Sequence, residues 1–197
     1  MEISKQQLDI IRQLNDNRNK LSALYSLYNS SLLVAENNRQ ELGSYYEQMI
    51  DFKNDLNSLS SQIGNAKKTE RSEMLSRNRS KIKKIDVSIK EVSTSFKDNC
   101  NKYRIALQDC GSLKTEYKHS ISELCKQFKA TVDEETDALI IKGYKQQVKI
   151  IKAILEKIEY LIADYNVKKN KMEDDNQKFT QLYESVNSLI SRLQTIA

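Results

Sequence analysis

Leu42, Tyr45, Met49, Phe52, Leu56, Leu59, Ile63 and Ala66 recur at alternating steps of three and four residues. Side chains so spaced form one stripe along an α-helix, and the stripe leaves water only by lying against other helices. Traced backward in the same register, the row continues through Ala35, Tyr28, Leu24, Leu21, Leu14, Ile10 and Ile3, with polar intrusions at Asn17, Ser31 and Asn38. A first helix over about residues 3–64 is predicted. Gly64 and Asn65, which tolerate left-handed backbone angles, are expected to close it.

A second row runs through Leu75, Ile82, Ile85, Ile89, Val92, Phe96, Tyr103, Ala106, Cys110, Leu113, Tyr117 and Leu124, with Leu107, Ile121 and Phe128 on one flank. Its register is not a whole number of heptads from the first, so the chain must break between them. Lys67-Lys68-Thr69 is the expected turn and Thr69 the expected N-cap. This helix is predicted over about 69–130, with Gly111 off the row and carried inside it. Thr131-Val132-Asp133-Glu134 then has the spacing of a capping box, and Glu134, Glu135 and Asp137 sit where the helix dipole favours negative charge. A third helix is predicted over about 132–196. Its row is Ile141, Tyr144, Val148, Ile151, Leu155, Ile158, Ile162, Tyr165, Met172, Phe179, Tyr183, Val186, Ile190 and Leu193. A parallel row of Ile154, Leu161, Leu182, Leu189 and Ile196 broadens the apolar face, which calls for two neighbours.

Three helices of about 60 residues, each roughly 90 Å long, joined by short turns, make an all-α, elongated, antiparallel three-helix bundle or coiled coil. A single domain spanning residues 1–197 is expected. Turns near residues 66 and 131 would set position i of the first helix beside a position of about i+130 in the third. Leu21 to Ala35 would then lie beside Ile151 to Tyr165. The same alignment brings Asn38, Ser93-Thr94-Ser95 and Lys169 to one level, a polar layer that would fix register.

Composition agrees with the rows. Proline is absent and glycine occurs four times, so sharp kinks are excluded and nearly the whole length can be helical. With 30% charged residues and no apolar run of about 18, no membrane span is expected. No basic-then-apolar signal peptide opens the sequence; the default expectation is a cytoplasmic protein, and export without a signal peptide is also compatible with these residues.

Candidate chemistry is sparse. His119 is the single histidine, and no nucleophile, base and orienter assemble around it. Cys100, Cys110 and Cys125 lack C-x-x-C spacing and span too much helix to converge on zinc, so reduced thiols in or beside a core are expected. No two glycines lie close enough to cradle a phosphate. No catalytic, metal or cofactor site and no small-molecule substrate are therefore expected, and the protein is predicted not to be an enzyme.

One stretch stands apart. Lys67, Lys68, Arg71, Arg77, Arg79, Lys81, Lys83 and Lys84 are offset in their span only by Glu70 and Glu73, a surplus larger than the +5 of the whole protein. Cations in the first turns of a helix oppose its dipole by a few tenths of a kcal/mol each. That cost points to an acidic partner: an anionic membrane, nucleic acid or an acidic protein surface. Aromatic residues for stacking bases are missing there, which disfavours nucleic acid.

Two resemblances follow from these features. Tyr160-Leu161-Ile162-Ala163-Asp164 is similar to the Y-x-x-x-D/E export signal of small helical proteins secreted by type VII systems, although the accompanying W-x-G turn is missing because the sequence has no tryptophan. In length and helix count the whole chain resembles BAR-type membrane-curving modules, a likeness that implies dimerisation and basic residues laid on lipid. The leading expectation is a non-enzymatic coiled-coil scaffold or protein–protein interaction module, in a complex or as a homodimer. A BAR-like membrane binder using its basic tip is the alternative, and a helical partner of a secreted protein the third.

Overall fold

The computed structural model describes residues 2–108 and 111–196. All their regular structure is helical: α1 (Glu2–Asn65), α2 (Lys68–Ala106), α3 (Gly111–Thr131) and α4 (Ala138–Thr195). The protein is an all-α helical bundle, as the heptad rows require. Its contacts gather into two compact units. One combines α1 up to Leu33 with Leu107–Val167; the other combines Val34–Ala106 with α4 from Lys168 onward.

In the second unit, α1 contributes Leu42, Met49, Leu56, Leu59 and Ile63, α2 contributes Leu75 to Phe96 of the predicted row, and α4 contributes Phe179, Val186, Ile190 and Leu193 to one core. Phe96 and Phe179 stack with ring centroids 3.7 Å apart. In the first unit, Tyr28 meets Tyr165 edge-on at 5.5 Å, and Phe128 stacks on Tyr144 at 4.0 Å. Each unit is thus three helical segments closing one apolar interior, with neighbours in sequence running antiparallel.

The ends of the helices differ from their sequence expectations, each for a local reason. No described residue has a positive φ, so Gly64-Asn65 does not supply a left-handed close. Instead Ala66 N–H donates to the Ile63 carbonyl at 3.2 Å, tightening the last turn of α1. The Arg71 guanidinium then donates Nε to the Ala66 carbonyl and Nη2 to the Gly64 carbonyl, both at 3.1 Å. Carbonyls at a helix C-terminus lack intrahelical partners, and a cation there also meets the negative end of the dipole. Thr69 is not the cap of α2, because Glu70 and Arg71 N–H groups both donate to the Lys67 carbonyl and the helix has already begun at Lys68.

Thr131 likewise ends α3 rather than opening the last helix. Its hydroxyl donates back to the Phe128 carbonyl, and Gln7 Nε2 donates to its carbonyl at 2.9 Å and its hydroxyl at 3.2 Å. Asp133 holds the connecting turn by accepting from Glu135 N–H and the Thr136 hydroxyl. Asp137 caps α4, its carboxylate accepting from Leu139 N–H at 2.8 Å. Asp outranks Thr as an N-cap, so α4 starts at Ala138 and not near Val132. Register shifts accordingly. Ile11 lies against Gly143, Glu36 pairs with Lys168 and Tyr28 meets Tyr165, all two to seven residues further along α4 than the offset expected from the sequence.

The predicted second helix is interrupted. α2 ends at Ala106 and α3 begins at Gly111. The freed Gln108 carbonyl accepts from the Tyr165 hydroxyl at 2.6 Å. Beyond the break the buried residues are Leu107, Ile121, Leu124 and Phe128, while Leu113 is exposed and Tyr117 only half-buried. Three of these, Leu107, Ile121 and Phe128, come from the flank, while Leu124 belongs to the predicted row. Cys110, on the expected row, lies outside the described residues.

The polar layer expected of Asn38, Ser93-Thr94-Ser95 and Lys169 does not assemble as expected: Ser93 is buried and Asn38 half-buried, but Thr94 and Lys169 are exposed, and the polar contacts join other residues. Asn99 is buried and donates Nδ2 to Glu41 Oε2 at 2.6 Å, and Lys168, not the exposed Lys169, faces Glu36 at 3.8 Å. Asn17, a polar intrusion on α1, is satisfied by its own helix through the Gln13 carbonyl.

Gly43 sits inside α1 with no positive φ, and a Cβ built there meets nothing within 4 Å. Glycine in a helix interior costs about 0.5–1 kcal/mol relative to alanine. Gly43→Ala is therefore expected to raise the unfolding free energy by about that amount, read as a higher urea midpoint.

Candidate functional site

α2 carries the basic stretch because its apolar row, Leu75, Ile82, Ile85 and Ile89, faces the core and leaves the remaining positions to water. The fold uses two of the eight cations. Arg71 is half-buried and holds the Gly64 and Ala66 carbonyls at and just past the end of α1, and Arg77 pairs with Glu73 one turn away. Lys67, Lys68, Arg79, Lys81, Lys83 and Lys84 are exposed, and among the described residues none of them forms an ion pair.

Two of these six lie in a groove. Between α2 and the end of α4 runs a depression of about 870 Å³, floored by the buried Leu75, Ile82 and Leu193 and walled by Ser76, Arg79 and Lys83. Ser72 and Asp86 stand at its two ends, with Asp86 held by Lys90 at 3.0 Å. Ser72, Ser76, Arg79, Lys83 and Asp86 are themselves spaced four, three, four and three residues apart. Charge counting over the segment merges this stripe with the other lysines; the spacing beside the Leu75–Ile82–Ile89 row is the signal that separates it.

The other candidate residues are dispersed. His119 is exposed on α3. Cys125, half-buried, lies beside Tyr144, whose phenol is raised above its ordinary range by burial and by that neighbour. Cys100 is half-buried in the second unit; burial and then the Asp175 carboxylate push its thiol up to about 11. A raised acid favours its protonated form in the fold, so this contribution is complete below pH 9, the ordinary thiol value, and is lost as pH rises toward about 11. Alkylation of Cys100 at pH about 8 is expected to be slower than that of an unstructured peptide thiol, since the thiolate is the nucleophile. Mass-spectrometric timing with iodoacetamide reads this directly, and equal rates would contradict it. Among the described residues no cluster of His, Cys, Asp or Glu is arranged to hold a metal ion, and no helix is long and apolar enough to cross a membrane.

Gln7 and Arg71 carry structural contacts that the sequence reading did not assign. Gln7 falls on the α1 row between Ile3 and Ile10, where a buried polar residue needs a partner. Arg71 follows the end of α1 closely enough to reach back to it.

No protein-family model matches the chain, and no curated protein matches it at a significant level. Among solved structures it is similar to a computationally designed three-helix bundle, with 16% identity, covering 100% of this chain and 94% of that one, at a TM-score of 0.43.

Proposed function

We propose that the protein is a non-enzymatic helical scaffold or protein–protein interaction module, and that the basic stretch from Lys67 to Lys84, in the turn before α2 and its first turns, is its contact surface. The observation that carries this reading is the division of labour among the eight cations: two are used by the fold and six are left exposed without a counter-charge. Like charges one turn apart, such as Arg79 and Lys83, destabilise an isolated helix by about 0.2–0.5 kcal/mol per pair. An acidic partner removes that cost and gains attraction.

The test is charge reversal of all six exposed cations together, with helicity checked by circular dichroism. Binding of the parent protein to an acidic helical peptide, to phosphatidylserine vesicles and to itself is measured at low and high salt. The reading expects peptide binding that weakens with salt and is lost on reversal. Unchanged behaviour on reversal would remove the basic face from the function, and binding confined to vesicles would favour the BAR-like membrane reading instead.

A further inference from the structure

We infer that the groove between α2 and the end of α4 receives an acidic α-helix of a partner protein, which sets two carboxylates one turn apart on Arg79 and Lys83. The inference rests on the reading of the α2 face as a contact surface and specifies the partner's chemistry.

The groove's floor is already closed, with Leu75, Ile82 and Leu193 each buried within this protein. An occupant therefore gains little by inserting a large apolar group. What the walls offer is charge: Arg79 and Lys83, both exposed and unpaired, are four residues apart on one helix face. Side chains at that spacing lie about 5–6 Å apart at Cβ, and the same spacing recurs on any other α-helix. A partner helix laid along the groove thus presents carboxylates at i and i+4 in step with the two cations. Arg79 adds a planar fork that takes a carboxylate through two parallel hydrogen bonds.

The ends of the groove limit the length of the match. Ser72 and Ser76 are neutral, and Asp86 beyond Lys83 is negative and already answered by Lys90. The positive stretch is two residues long. A polyanion such as nucleic acid draws its affinity from many phosphates along a basic track, and an anionic membrane from a field of basic residues near its surface. A concave site with two cations and an acid at its rim suits a short acidic stretch on a helix.

The test uses the whole 197-residue chain and a fluorescein-labelled alanine-based helical peptide carrying Glu at i and i+4. Its control is a peptide of identical composition with the two Glu on opposite sides. The matched peptide is expected to bind more tightly than the control, and Arg79→Glu with Lys83→Glu to weaken it at least about tenfold through lost attraction and new repulsion. A peptide with Lys in place of both Glu should bind that double variant better than it binds the parent protein. Because both positions are exposed, helicity should be unchanged by the substitutions.

Equal binding of matched and control peptides, or indifference to the double reversal, overturns the inference. If reversal of Lys67, Lys68, Lys81 and Lys84 abolishes peptide binding while Arg79→Glu and Lys83→Glu do not, the groove is excluded and the broader reading of α2 survives. No peptide binding at all, with concentration-dependent sedimentation that the double variant loses, assigns the groove to a second copy of this chain and likewise overturns it.

Discussion

Phe96→Ala is expected to lower the free energy of unfolding by about 3–5 kcal/mol, the range for removing a fully buried aromatic ring. Phe96 is 2% exposed and lies face to face with Phe179, which is equally buried. Alanine removes the apolar surface that the ring keeps from water and leaves a cavity against Phe179 that α1 and α2 can close only in part. The measurement is urea unfolding, where the midpoint should fall while the slope stays constant. The stacking also predicts non-additivity. The double variant with Phe179→Ala should cost less than the two single changes together by about 0.5–1.5 kcal/mol. Strict additivity would mean that the rings do not meet.

Phe128→Ala and Leu113→Ala should separate widely, although both residues are large and both lie on α3. Phe128 is 1% exposed and stacks on Tyr144; Leu113 is 38% exposed. The first is expected to cost about 3–5 kcal/mol and the second under about 1 kcal/mol. The ordering decides between two registers. Had the row of Tyr103, Ala106 and Cys110 continued unbroken, Leu113 would be the core residue and Phe128 its flank. A larger loss at Leu113 would therefore contradict the interruption between α2 and α3.

Much of the interior was legible in advance. On α1 the predicted row matches the buried residues from Ile10 through Ile63 with few exceptions; Ile3 is exposed, and Leu32 is buried where Ser31 was expected to face inward. On α4, Ile151, Ile158, Tyr165, Met172, Phe179, Val186, Ile190 and Leu193 are all buried as read. These positions were readable because α-helical period is a property of the backbone, and a long row averages over single polar intrusions. The helix ends were less readable. Thr131 and Asp137 are rival caps for the last helix, and Gln7, more than a hundred residues earlier, takes the Thr131 carbonyl and hydroxyl. Local spacing alone has no access to that competitor.

The candidate surface divides in the same way. Its charge surplus was visible from a count over residues 67–84, but a count treats all eight cations alike. Arg71 leaves the set because its guanidinium reaches carbonyls at and just past the end of the helix before it, and Arg77 because Glu73 is within reach. Arg79 and Lys83 acquire a distinct place because α4 returns to form the other wall of their groove.

The sequence by itself determined that the protein is all-helical, where the first reversal falls, and which face of α1 and α4 turns inward, because these follow from periodicity, from missing proline and from the contiguous apolar rows. Only the tertiary structure decided the break between α2 and α3, the start of α4 and the split of the basic residues into fold-bearing and free. Each of these depends on groups distant in sequence or on rival local contacts of similar strength, and such near-ties are settled by which partners packing brings within hydrogen-bonding reach.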